Sequence, residues 1–206
     1  MRNGIIALAA MTFLCLVSLF VGVIDLTPTD LFSDPEALGL LLVSRIPRTV
    51  AVVLTGASMA VAGLIMQLLV RNRFVEPATA GTAQSAALGI LTVTLLMPDI
   101  SVIGRMVVAS LFSLVGTSLF IFLVRRLPPD RPLLIPLVGF IYGGVIGAAV
   151  TFVAYQADLL QYLEVWMNGE FSGVLQGRYE LLWLSGGLTI FAYLVADQLT
   201  IAGLGR

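Results

Sequence analysis

Apolar residues run along this chain in long unbroken blocks, and the polar residues gather between them. Windows free of Asp, Glu, Lys and Arg occur at 3–24, 49–70, 77–98, 106–124, 132–157 and 181–196. Inside them the side chains are continuously apolar, not alternating with period two, which excludes the strands of a membrane β-barrel. About 20 apolar residues in a helix cross a bilayer, and helix is then the only open-ended form that satisfies its own backbone in lipid. The last window is short, but Tyr179 and Leu199 extend it past Glu180 and Asp197. The pattern predicts an all-α integral membrane chain with six transmembrane helices. The first window could be a cleaved signal peptide, but its end, "VGVIDLTP", lacks a small-x-small site, so it is read as a span.

Between the fifth and sixth windows lies "ADLLQYLEVWMNGEFSGVLQGRYE". Leu159, Leu160, Leu163, Trp166 and Met167 fall on one helical face there, with Tyr162 one turn from Trp166. This predicts a short helix lying at the membrane interface, where Trp and Tyr prefer to sit. Gly169, Gly173 and Gly177 then loosen the chain before the last span.

Composition sharpens the class. The chain is 59% hydrophobic and 11% charged, with a mean hydropathy of +1.03, whereas soluble chains are about 45–50% apolar and about a quarter charged. Cys15 is the single cysteine and histidine is absent, so neither a disulfide framework nor a metal cluster is expected. A Ser-His-Asp triad is impossible without histidine, and no G-x-x-x-x-G-K-[ST] phosphate loop occurs. No enzyme activity, cofactor, metal or nucleic-acid partner is expected. No span carries a carboxylate near its middle, which argues against a carrier powered by protons through these residues.

Six spans place both ends on one side. If that side is the cytoplasm, the inner face carries Arg2, Arg71, Arg73, Arg125, Arg126, Arg131 and Arg206, and the outer face Arg45, Arg48, Arg105 and Arg178. Basic residues near span ends favour the inside, so the N-terminus is placed in the cytoplasm. Nine of the 12 acids then make the outer face acidic. Arg45 and Arg48 flank Pro47, which suits a first helical turn, so the second helix is expected to begin near Ile46. Cations there oppose the helix dipole. Either they snorkel to lipid phosphates or they meet an anionic partner.

Small residues recur at helical spacing: Gly56, Ala60 and Gly63; Gly81, Ser85 and Gly89; Gly139, Gly143 and Gly147. Such faces let helices approach closely in lipid. The alternative is that some of them, the last set above all, border a path for a bulky solute.

"RIPRTVAVVLTGASMAVAGLIMQLLVRNRFVEPATAGTAQSAALG" (45–89) resembles the opening of the permease family of iron–siderophore and vitamin B12 ABC importers. The shared pattern falls on Arg45, Pro47, Arg48, Gly56, Ala57, Gly63, Gln67, Arg71, Asn72, Pro77 and Gly89, and the Trp166–Gly169 step looks like the segment before the sixth helix. Arg73 and Phe74 stand where many members have Pro and Leu, a likeness to the branch serving siderophores such as petrobactin or enterobactin. The resemblance implies one transmembrane permease domain over 1–206, matching the first six of about ten helices and stopping before the ATPase-coupling helices. It implies multi-pass placement in the inner membrane, a second permease subunit, ABC ATPase subunits and a periplasmic or lipoprotein-type substrate-binding protein as partners. It also implies that Arg45 and Arg48 dock glutamates of that binding protein, since an arginine fork meets a carboxylate with two hydrogen bonds. Gly139, Gly143, Gly147 and Gln67 would border the translocation path or pack helices. The alternative is a truncated membrane remnant with a structural role alone.

Overall fold

The structure is a computed structural model that describes residues 2–21, 35–128, 131, 133–169, 171 and 181–201. Every regular element among these is helical: α1 (Arg2–Phe20), α2 (Pro35–Val70), α3 (Thr82–Leu96), α4 (Val102–Val124), α5 (Leu134–Gln156), α6 (Leu160–Met167) and α7 (Leu181–Ile201). Three of them, α2, α4 and α5, are long and apolar enough to cross a membrane. The apolar stretches Gly4–Phe20, Thr82–Leu96 and Leu182–Ala196 are shorter. Gly173 and Gly177 fall outside the described residues.

The second helix does not begin near Ile46. It begins at Pro35 and passes through a π-helical turn, Leu41–Arg45, before resuming as α-helix at Ile46. The cause is local. Pro47 has no N–H and its ring would strike the carbonyl four residues back. In the wider turn the Ile46 N–H instead bonds the Leu41 oxygen, five residues back, and the helix absorbs the proline without ending. Arg45 and Arg48 are therefore inside a continuous helix, away from the unpaired N–H groups of a first turn.

The chain divides into two compact units, Met1–Ser58 with Phe171–Thr189, and Met59–Glu170 with Ile190–Arg206. In the first unit, Ser58 Oγ and Thr189 Oγ1 lie 2.7 Å apart, a hydrogen bond joining α2 to α7. Gly186 meets Leu54 beside it. Hydroxyl bonds and small residues of this kind hold helices together where lipid removes the hydrophobic drive.

In the second unit α2 ends in a two-bond C-terminal motif. Arg71 turns into the left-handed region at φ +54, its N–H reaches the Leu68 oxygen, and the Asn72 N–H reaches that of Gln67. Asn72 Oδ1 then accepts from the Phe74 N–H at 2.9 Å, an Asx turn. Thr79 Oγ1 accepts from the Glu76 N–H and donates to the Glu76 oxygen. This folded loop drives Val75, wholly buried, into a cluster with Met66, Ala80, Phe120 and Val124. A second cluster, Ala87, Leu91, Val150, Ala154 and Leu163, joins α3, α5 and α6.

Gly81 ends the short 3-10 turn Ala78–Ala80 and starts α3. Its φ of +69 suits glycine, and a Cβ there would lie 2.9 Å from the Tyr142 ring. Backbone geometry and close approach demand the same residue.

Candidate functional site

The arginine pair is placed unequally. Arg45 is 7% exposed, and its Nη1 donates to the Val21 carbonyl at 2.7 Å. Val21 directly follows α1, and its own N–H still bonds the Val17 oxygen. A guanidinium there satisfies a carbonyl that the ended helix leaves open, at the negative end of the helix dipole. Arg48 lies three residues on, one helical turn away. It is half-buried, and its Nε is buried with no hydrogen-bond partner. Spacing alone places both cations beside Pro47 without separating their roles. The fold gives Arg45 a structural bond to α1 and leaves Arg48 with donor capacity.

The glycine face of α5 meets the start of α3. Gly139 is buried, and a Cβ added to it would collide with the Thr79 carbonyl oxygen, a backbone atom that cannot swing aside. At Gly143 the nearest atoms are Gly81 Cα at 3.5 Å and the Gln84 amide at 3.6 Å. At Gly147 the nearest atom is Gln84 Cγ at 3.5 Å. Contact thus loosens from Gly139 to Gly147. On the far side of α3, Gly89 lies against Ala109 and Phe112, and Ser85 against Gly116 of α4. Tyr142 Oη donates to the Gly116 carbonyl at 2.8 Å, tying α5 to α4. Gln67 is half-buried near the end of α2, and its backbone oxygen closes the helix terminus described above.

Where the glycine face opens, a cavity of about 180 Å³ lies between α3, α5 and α6. Gln84, Gly147 and Thr151 line it on one side, and Leu160, Glu164 and Met167 on the side of α6. Gln84 Oε1 is buried and accepts no hydrogen bond. A buried amide oxygen without a donor costs about 1–3 kcal/mol, and this one lies beside Gly143 on the glycine face. Sequence reasoning passed over Gln84. Its only signal was a place beside Ser85 in "GTAQSAALG", and the residues it faces are some 60 positions away. Among the described residues no group of three His, Cys, Asp or Glu side chains could hold a metal ion.

Residues 10–206, nearly the whole chain, match the FecCD transport family. The chain belongs to that family. Two similar proteins are petrobactin import system permease proteins. That of Bacillus subtilis is 46% identical over 195 residues, covering 94% of this chain and 61% of that protein. That of Bacillus anthracis is 41% identical over 202 residues, covering 98% and 59%. The chain thus spans about three-fifths of the length of these relatives. A solved structure described as an inward-facing metal-chelate type ABC transporter superposes with a TM-score of 0.70 at 20% identity, covering 98% of this chain and 68% of that one. This second likeness shows the fold.

The resemblance drawn from Arg45 to Gly89 therefore names the right family. Membership places the chain in a transport family, and three of its described helices are long and apolar enough to cross a membrane.

Proposed function

We propose that this chain forms part of the permease of an ABC importer that carries iron–siderophore complexes into the cell. The observation that carries this reading is the 46% identity to a petrobactin import permease over 94% of the chain. In this reading six helices cross the inner membrane as one permease domain, with the N-terminus in the cytoplasm. A second permease subunit completes the passage, separate ATPase subunits supply the energy, and a periplasmic or lipoprotein-type binding protein delivers the chelate. The excess of arginines on the inner loops supports the orientation. The "RNRF" sequence at 71–74 and the identity to petrobactin permeases together favour a petrobactin-like siderophore.

The two guanidinium groups near the start of α2 are the docking candidates. Arg48 would pair with a carboxylate of the delivery protein, and Arg45, anchored on the end of α1, would hold that rim in place and add charge. Such pairs set orientation and association rate more than affinity. The face of Gly147 and Gln84 would border the solute path, with Gly139 and Gly143 holding α5 against α3. Gln67 serves the turn that ends α2.

Expression of a Bacillus petrobactin permease whose matching three-fifths is replaced by this chain, in a strain lacking its own permease, tests the reading. Restored uptake of iron–petrobactin, lost again when the ATPase is inactivated, is the expected result. A membrane remnant with only a structural role predicts no uptake although the protein is inserted.

A further inference from the structure

One side of the cavity is α6, a helix of eight residues, well below the length at which a helix persists unaided. It lies against the second core cluster through Leu163. What else fixes it comes from α4. Arg105, in the first turn of α4, reaches across 57 positions of sequence and donates through Nη1 to the Tyr162 hydroxyl. Its Nη2 donates to the Pro98 carbonyl at 2.7 Å. Its Cζ lies 5.8 Å from the centre of the Tyr162 ring, within cation–π range. The Tyr162 ring is in turn 6.2 Å from that of Trp166, one turn along α6.

The position of this arginine is costly in isolation. A cation in the first turn opposes the dipole of α4, and Arg105 Nε is buried without a partner. The guanidinium is nevertheless held on the α3–α4 turn by one arm and on α6 by the other. Tyr162 takes this contact, with Trp166 beside its ring, while Leu160, Leu163, Glu164 and Met167 of the same helix line the cavity. The two faces of α6 are thus divided between a clamp and a wall.

We propose that Arg105 is the positioning residue for this wall: its bond and cation–π contact to Tyr162 hold α6 over the cavity and so limit access to Gln84, Gly147 and Thr151. The inference deepens the proposed function, since it rests on that cavity belonging to the solute path. Its test does not require transport. Ala87 is 1% exposed and lines the cavity from α3, so a cysteine there reports whether α6 is seated without altering α6. Val124, 8% exposed in the other cluster, reports general loosening.

The chain is placed in membrane vesicles with Cys15→Ser and either Ala87→Cys or Val124→Cys, and the rate of labelling by a water-soluble maleimide is followed. With Arg105 intact both cysteines are expected to label slowly. Arg105→Ala is expected to raise the rate at Ala87→Cys at least tenfold, and Tyr162→Phe, which removes the hydroxyl and keeps the ring, severalfold. Arg105→Lys keeps the charge but cannot span both acceptors, and falls between Arg105→Ala and the parent. Val124→Cys stays protected throughout. In Arg105→Ala, an unchanged rate at Ala87→Cys, or an equal rise at Ala87→Cys and Val124→Cys, overturns the proposal. Absence of siderophore uptake would instead refute the transport reading and leave this outcome standing.

Discussion

Gly139, Gly143 and Gly147 share one sequence motif, yet the structure predicts that they respond unequally to the same added methyl. At Gly139 a Cβ would run into the Thr79 carbonyl oxygen, and the Thr79 backbone is fixed by the bonds of the 76–81 turns. Relief requires α5 to withdraw by roughly 1 Å to regain ordinary contact distance, pulling Tyr142 and its bond to Gly116 with it. Overpacking of this kind costs about 1–3 kcal/mol, a roughly 5- to 150-fold change in the folded-to-unfolded ratio at RT of about 0.59 kcal/mol. At Gly143 and Gly147 the new methyl would sit 3.5 Å from its nearest neighbour, which is normal contact. Gly144, on the exposed side, has nothing within 4 Å, and alanine there gains up to about 1 kcal/mol of helix propensity. Unfolding of the four single alanine variants in mixed detergent micelles would rank them. Gly139→Ala should be the least stable and Gly144→Ala equal to or above the parent. Equal stability of Gly139→Ala and Gly144→Ala would refute the close approach of α5 to Thr79.

Two further perturbations separate the polar contacts of the first unit. Arg45→Leu keeps much of the apolar stem but leaves the Val21 carbonyl without its charged donor, and a loss of about 1.5–3 kcal/mol is expected for such a bond; thermal unfolding of the detergent-solubilised protein reads it, and no change in midpoint would remove the proposed bond to α1. A double-mutant cycle on Ser58→Ala and Thr189→Val should return a coupling of about 0.6 kcal/mol, typical of hydroxyl bonds between helices in lipid, and additive effects would show that the hydroxyls do not couple α2 to α7. For docking, Arg48→Glu should weaken capture of the delivery protein more than Arg45→Lys does, with both variants still inserted in the membrane; a pull-down with equal recovery would contradict the assignment.

Much of the helix pattern was legible because lipid leaves a simple trace, a continuous apolar run closed by charge. The windows at 106–124 and 132–157 lie close to α4 and α5 for this reason, and Leu159 to Met167 showed α6 through its spacing. The same trace misled at Arg45 and Arg48. A charge-free window must stop at an arginine, but the helix need not: Arg45 spends its charge on the Val21 carbonyl, and the π turn makes room for Pro47. The third window also overran, since Pro77 to Gly81 form a turn fixed by Thr79, Thr82 and the left-handed Gly81. Gly139 and Gly143 were visible as a packing face through their spacing. Gln84, Arg105 and Tyr162 could not be joined from spacing, because the contacts that matter span 57 or more residues and depend on which helices become neighbours.

In the proposed function, ATP hydrolysed by separate subunits drives a chelated iron complex through a passage this chain helps to build. Its most direct test uses proteoliposomes holding the permease assembled with its ATPase and binding protein. Uptake of iron–siderophore is expected only when ATP is supplied to the side bearing the ATPase subunits. Equal uptake with a hydrolysis-dead ATPase, or none in an intact assembly that hydrolyses ATP, would contradict the account.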